Sequence, residues 1–337
     1  MKKSRATALV AAAAATALML AGCAQDAGSG SGGDEAGAGG NVDVKMSYVA
    51  FSGIAPTLLA IDNGSYERHG LNVEGSVAAS PAAILSGLVN GELQIGFTTI
   101  PTLISAVQEG VPIKCIASAD GIGAVAPPAE ISTALLVAPD SAVTSAAELE
   151  GKRIGVIALG SLNHLIAMDL IAQAGGDPST VEFVQLPLPQ TGDALAGHQV
   201  DAAITTEPFT LPLLDKEFRM LGSADAPGGL TSERTTKCYA ASDEYIEKNP
   251  ETVAKFIVAQ DEALTYAQDH LDEALATLPQ ILELSPEAAL ATETGLIFQP
   301  GITPADVEHL QDKMVEFGWV DETRSVKDYV YSPGDTE

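Results

Sequence analysis

Five turns of this 337-residue chain set a hydroxyl, amide or carboxylate side chain beside a helix start. Three carry Pro at or near the first helical position: Phe51-Ser52-Gly53-Ile54-Ala55 before Pro56, Ser80 before Pro81, and Thr98-Thr99-Ile100 before Pro101. The other two are Gly160-Ser161-Leu162-Asn163 and Glu207-Pro208-Phe209. A helix start leaves backbone N–H groups unbonded, and with hydroxyls beside them these can hold a polar or anionic head group. Ser52, Ser80, Thr98, Thr99, Ser161, Asn163 and Glu207 are therefore candidate polar contacts, with Phe51 and Phe209 as an apolar wall. The same residues fit plainer roles: Ser80, Thr99 and Ser161 as helix N-caps, Glu207 as an acceptor of backbone N–H groups, the two phenylalanines as core.

Bond-making chemistry has no comparable pattern. His69, His164, His198, His270 and His309 are scattered, with no pair at metal-ligand spacing. Only His164 sits where it could face a cleft, and a solvated position at a helix start suits it equally. No G-x-S-x-G elbow and no G-x-x-x-x-G-K phosphate cradle occurs. Among 45 acidic residues some pair by chance, so no acid/base couple follows. The reading is of a chain without catalytic residues, metal or cofactor.

The elements that must position these turns alternate short apolar strands with helices, the pattern of α/β layers. Strands are expected over 42–51, 71–78, 94–99 and 112–118, with helices over 56–63, 81–90 and 101–109. A stretch rich in Gly, Ala and Pro, 121–130, breaks the rhythm. A second set follows, with strands over 133–138, 153–158, 181–186, 201–205 and 219–222. Ser145 and Glu148 have capping-box spacing, and a helix over 161–174 stops at Gly175-Gly176. A loose stretch, 224–234, precedes a last strand over 237–241 and a helical end, where Ser285-Pro286 and Thr303-Pro304 are strong starts. The sequence carries no internal repeat.

Composition narrows the function classes. Apolar residues make up 46% and charged ones 18%, which excludes disorder and a coiled coil. Lys plus Arg number 17 against 45 Asp plus Glu, a formal charge of -28, and such a surface repels nucleic acid and anionic lipid. Lys2, Lys3 and Arg5 precede an apolar run from Ala6 to Leu20, short for a membrane span but suited to a signal peptide. Leu20-Ala21-Gly22-Cys23 resembles a bacterial lipobox, which implies a leader over 1–22 and a lipid on Cys23. Without the leader's three cations, 14 basic residues remain and the formal charge is near -31. Of residues 24–40, thirteen are Gly, Ser or Ala. That composition makes a flexible tether with a reach of about 20–25 Å.

Several fragments carry a family resemblance. Asn63-Gly64-Ser65-Tyr66-Glu67-Arg68-His69-Gly70-Leu71-Asn72-Val73 is similar to the kGfFkkeGLdV stretch of solute-binding proteins that serve nitrate-, sulfonate-, taurine- and thiamine-precursor-type ABC importers. Ser86-Gly87, Asn90-Gly91-Glu92-Leu93-Gln94-Ile95-Gly96, Gly110-Val111-Pro112-Ile113-Lys114 and Asp140-Ser141 follow in the same order. Glu148-Leu149-Glu150-Gly151-Lys152-Arg153-Ile154-Gly155-Val156 is close to DLkGKrIgv, and Asp201-Ala202-Ala203, Glu207-Pro208-Phe209 and Lys248-Asn249-Pro250-Glu251 complete the series. Gly70 and Gly151 read as helix stops without a ligand role.

The resemblance implies an α/β, two-lobed type II periplasmic-binding-protein fold, each lobe a mixed sheet flanked by helices, with a helical C-terminal segment. Lobe 1 would comprise 43–130 plus 237–337 and lobe 2 131–236, after the leader and a linker over 23–42. It further implies a lipid-anchored, monomeric receptor outside the cell membrane. Such a receptor would close on a small organic or anionic ligand and hand it to an ABC permease and ATPase. A sensor input for a membrane kinase uses the same module. Pyrimidine synthases of the superfamily use a cysteine-rich motif, whereas here only Cys115 and Cys238 lie in the body beyond the lipobox cysteine and the tether. No Arg or Lys falls in the turns assigned to the cleft. In the implied fold the returning strand, with Cys238, lies beside the fourth strand, with Cys115. A disulfide is then one outcome and two buried thiols the other.

Overall fold

In a computed structural model of the chain, the alternating apolar runs build two five-stranded sheets, each flanked by helices. The structure describes residues 40–334 except 79, 120–132, 233 and 292–296. The leader, Cys23, the tether as far as residue 39 and the 121–130 stretch lie outside the described residues.

The first sheet contains β1 (Val42–Tyr48), β2 (Leu71–Val77), β3 (Ile95–Thr99), β4 (Ile113–Ser118) and β10 (Lys237–Ser242), in the order β2-β1-β3-β10-β4. The second contains β5 (Thr133–Val137), β6 (Arg153–Val156), β7 (Glu182–Gln185), β8 (Ala202–Thr206) and β9 (Arg219–Ser223), in the order β7-β6-β8-β5-β9. In the first, β1 is parallel to β2 and β3 while β10 is antiparallel to β3 and β4. In the second, β6 is parallel to β7 and β8 while β5 is antiparallel to β8 and β9. The fourth strand in each row is thus the antiparallel one, and it is the first strand laid down after the chain crosses over. The two lobes share one topology although the sequence does not repeat.

Helices α1 (Ala55–Asp62), α2 (Ser65–Arg68), α3 (Pro81–Val89) and α4 (Ile100–Gln108) connect the strands of the first sheet. The second lobe holds α5 (Leu162–Gln173), α6 (Thr191–Ala196) and α7 (Thr210–Leu214). After β10 come α8 (Asp243–Lys248), the long α9 (Pro250–Asp269), α10 (Leu271–Leu275), α11 (Pro286–Ala291) and α12 (Pro304–Glu316). Thr303 and Asp306 form a reciprocal capping box at the start of α12.

Period-two alternation decides what each strand buries. In β5, Leu135 and Val137 join the large core with α5, while Ala134 and Leu136 face a small core with Leu195, Ala203 and Leu213. Both faces are covered, so the strands read as continuous apolar runs. Gly96 lets α3 lie directly on β3, because a Cβ there would stand 2.4 Å from Ile84 Cγ2.

Most strands keep their expected ends to within a residue or two. β1 stops at Tyr48 instead of reaching Phe51, because Phe51 opens a 3-10 turn over Ser52–Ile54 that runs straight into α1. Ser145 caps a 3-10 turn over Ala146–Leu149, and Glu148 takes the N–H of Thr144 at 2.8 Å. Strand β10 lies between β3 and β4, with a bulge at Tyr239/Ala240. Cys115 of β4 and Cys238 of β10 have Cα atoms 5.8 Å apart and their sulfurs bonded.

Candidate ligand-binding site

The five turns fall at matching strand ends of the two sheets. In the first, Phe51-Ser52 follows β1, Ser80 follows β2 and Thr98-Thr99 closes β3. Antiparallel β10 starts at the same end, with Lys237 opposite Thr99 and Cys238 opposite Thr98. In the second, Ser161 follows β6 and Glu207 follows β8, and β5 starts beside them with Thr133 opposite Thr206. Both crossovers join the lobes at these ends. Ala119 N–H, just past β4, donates to Lys237 O at 3.2 Å, and Thr133 N–H donates to Asp225 Oδ2 at 2.8 Å. The candidate turns therefore border the connections between the lobes, beyond the carboxyl ends of the parallel strands, where open α/β sheets bind ligands.

Each turn's own chemistry differs. Ser80, Thr99 and Ser161 are N-caps that accept from Ala83, Thr102 and His164 N–H at 3.3, 3.4 and 3.4 Å. Thr99 Oγ1 also meets Thr102 Oγ1 at 2.9 Å, and Ser161 donates to Ala158 O at 2.6 Å. The capping role is thus filled in all three. Thr98 is buried and makes only a long bond, 3.4 Å, to Thr99 O. By contrast Ser52, 1% exposed, has no partner for its hydroxyl, and Asn163 has none for its amide nitrogen.

Phe51 packs against Phe97 with ring centroids 5.1 Å apart, and Lys237 Nζ stands 5.6 Å from the centre of the Phe51 ring. No Arg or Lys lies in the five turns themselves; Lys237 stands beside them at the start of β10. It opens a returning strand rather than a strand-to-helix turn, so the pattern of turns does not single it out. Its signal was the implied place of that strand, with its first residue level with the end of β3.

On the second lobe Phe209 is half-buried and precedes α7. Glu207 is 2% exposed: Oε1 accepts from Leu211 N–H at 3.1 Å and Oε2 has no partner. Burial raises its carboxyl to a pKa of about 7, against the lowering effect of the Leu211 bond. His164 is neither solvated nor alone. Its Nδ1 accepts from Gly160 N–H at 3.1 Å, and its ring packs on Phe183 at 4.2 Å and on Trp319 at 4.8 Å. Burial lowers its pKa to about 4, so the ring is neutral at physiological pH, with the proton on Nε2.

The candidate residues offer hydroxyls, one buried carboxyl group and one cation beside an aromatic face, groups that suit contact with a small polar molecule. Among the described residues no three His, Cys, Asp or Glu gather as a metal ion would require, and no helix is long and apolar enough to cross a membrane.

Known proteins share this fold. The periplasmic aliphatic sulphonate binding protein SsuA of Escherichia coli superposes with a TM-score of 0.69 at 19% identity, over 88% of this chain and 94% of SsuA. That likeness gives the fold, the two-lobed periplasmic-binding-protein fold. The taurine-binding periplasmic protein of Escherichia coli K12 is 27% identical over 215 residues, 64% of this chain and 63% of the relative. A yeast enzyme, the 4-amino-5-hydroxymethyl-2-methylpyrimidine phosphate synthase THI11 of Saccharomyces cerevisiae, is 22% identical over 222 residues, 63% of this chain and 62% of the enzyme. The NMT1/THI5-like profile matches residues 52–274, a span that holds every one of the candidate turns except Phe51, and the chain belongs to that family.

Proposed function

We propose that this protein is the solute-binding receptor of an ABC importer, anchored outside the cell membrane by a lipid on Cys23 and acting as a monomer. It binds a small organic or anionic molecule between its lobes and delivers it to a permease and ATPase. The observation that supports the reading is that five hydroxyl- or carboxyl-bearing turns lie at the strand ends where the chain leaves and enters each lobe, with the Ser52 hydroxyl and Glu207 Oε2 without partners there. Binding shifts an existing equilibrium between open and closed arrangements of the lobes. The contacts are Ser52, Ser80, Thr98, Thr99, Ser161, Asn163 and Glu207, walled by Phe51 and Phe209 and joined by Lys237.

No step of this reading makes or breaks a bond. The yeast relative raises a synthase instead, but the two cysteines of the body are bonded to each other and supply no cysteine-rich centre. A thermal-shift screen across sulfonates, nitrate, taurine and pyrimidines tests the proposal. A ligand at 100 times its dissociation constant adds about 2.7 kcal/mol of stability. Ser80→Ala, Thr99→Ala and Ser161→Ala should weaken that response. Wild-type affinity in all three folded variants places the site elsewhere.

A further inference from the structure

We propose that α12 is a strap between the lobes: rooted in the first, it pins the second in one arrangement through Lys313 and Trp319, and the lobes turn only when those two contacts part. The use of such a strap rests on the receptor reading, because it sets how much of the lobe motion a ligand must drive.

Helix α12 and the chain after it are built into the first lobe. Val307, Leu310 and Met314 are buried in the large core, and Gln108 of α4 donates to Glu322 O at 3.1 Å and to Tyr329 Oη at 3.0 Å. Cys115 N–H of β4 donates to Tyr329 O at 2.8 Å, and Tyr331 N–H returns a bond of 2.8 Å to Cys115 O. From this base the segment reaches across at three levels. Near the start of α12, Asp306 Oδ1 accepts from Thr235 N–H at 3.3 Å, on the crossover that re-enters the first lobe. Farther along, Lys313 Nζ stands 3.0 Å from Asp169 Oδ1 of α5. Just past the end of α12, the Trp319 ring lies 4.8 Å from the His164 ring at the other end of α5.

These contacts fix a register that apolar packing leaves loose. Leu162, Leu165 and Ile166 of α5 share one core with Leu310 and Met314 of α12. Apolar attraction has no direction, so such a seam keeps much of its stability when one helix slides or turns on the other. The ion pair does not. Asp169 is 1% exposed, and a small displacement of α5 takes its carboxylate from its cation before water can replace it. Trp319 adds a second fixed point, since its ring must lie on His164, which itself packs on Phe183 of β7. His164 and Asp169 stand about 7–8 Å apart along α5 at the helical rise. Two attachments at that spacing resist rotation of the second lobe as well as sliding.

The test needs no ligand. Spin labels on Val77→Cys and Leu159→Cys report the distance between the lobes in the full chain carrying Cys23→Ser. Both positions are exposed, lie at the cleft ends of β2 and β6 and stand outside the proposed contacts. This background should give one narrow distance. Lys313→Met and Trp319→Ala, each measured below its own melting temperature, should raise the weight of other distances about tenfold relative to the narrow one, and together more. In Lys313→Met the only tryptophan of the chain, Trp319, should also become more accessible to acrylamide quenching. A distribution already broad in the background protein overturns the strap. So does a folded double variant that keeps the narrow distance, or a Lys313→Met protein whose tryptophan is no more accessible. Each of these results leaves the receptor reading standing, and failure of the ligand screen leaves the distance measurement untouched.

Discussion

Glu207 shows how one residue links fold and stability. It follows β8, caps the first turn of α7 through Oε1 and leaves Oε2 buried without a partner. Because burial raises its pKa to about 7, the folded chain holds a proton that the unfolded chain has already released between about pH 4.5 and pH 7. More protons bound in the folded state mean stability that falls as pH rises through that window, by on the order of 3 kcal/mol in full. His164 has the opposite sign: its lowered pKa removes stability as pH falls from about 6.5 toward 4. The Glu207→Gln variant isolates the first effect, since an amide oxygen still accepts from Leu211. Without ligand, its urea midpoint should match the wild type near pH 4.5 and exceed it near pH 8. The same difference at both values removes Glu207 as the source. The sequence placed Glu207 beside a helix and allowed it either role, backbone acceptor or ligand contact. It did not reveal that one oxygen would take the first role and leave the other without a partner.

At the scale of elements, what was legible followed from local chemistry. Ser80, Thr99, Ser161 and Thr303 each stand one residue before an observed helix, because a capping oxygen and, in three of them, a nearby Pro act within one turn. What was illegible depends on elements distant in the chain. His164 sits between Phe183 and Trp319, and Lys237 over Phe51, through packing that no local spacing encodes. The contact of α5 with α12 is of this kind. Asp169 on α5 is 1% exposed, with Lys313 Nζ of α12 at 3.0 Å from Oδ1 and Gln173 donating to Oδ2 at 2.6 Å. Lys313 also meets Glu316 at 3.0 Å. Removing the lysine strands a buried carboxylate, the costly direction for an ion pair. Lys313→Met should therefore lose about 2–3 kcal/mol in chemical denaturation, less than a fully buried pair because Lys313 is 25% exposed. Adding Asp169→Asn should restore most of it. A double variant as unstable as the single one assigns the loss to packing of the lysine stem instead.

Across the whole molecule, the second lobe is an insertion between two neighbouring strands of the first. The chain leaves at the end of β4 and returns at the start of β10, and these strands pair with Cys238 opposite Ser118. The Cys115–Cys238 bond closes a covalent loop that spans a sequence separation of 123 and contains every strand of the second sheet. It therefore ties the insertion at its neck, on the first-lobe side of both crossovers. A tie placed there restrains the unfolded chain strongly and the relative motion of the folded lobes very little. The loop-closure relation for such a length sets an upper value near 5 kcal/mol, and measured bridges return about 2–5 kcal/mol. With Cys23 replaced by Ser, the denatured, unreduced protein should show no reactive thiol. Replacing Cys115 and Cys238 together by Ala should lower the unfolding free energy within that range. Ligand affinity at a temperature where both proteins are folded should stay unchanged, since neither sulfur lies among the proposed contacts. Two thiols per unreduced chain refute the bridge. A tenfold loss of affinity in the folded double variant would mean that the neck also sets the angle at which the lobes meet.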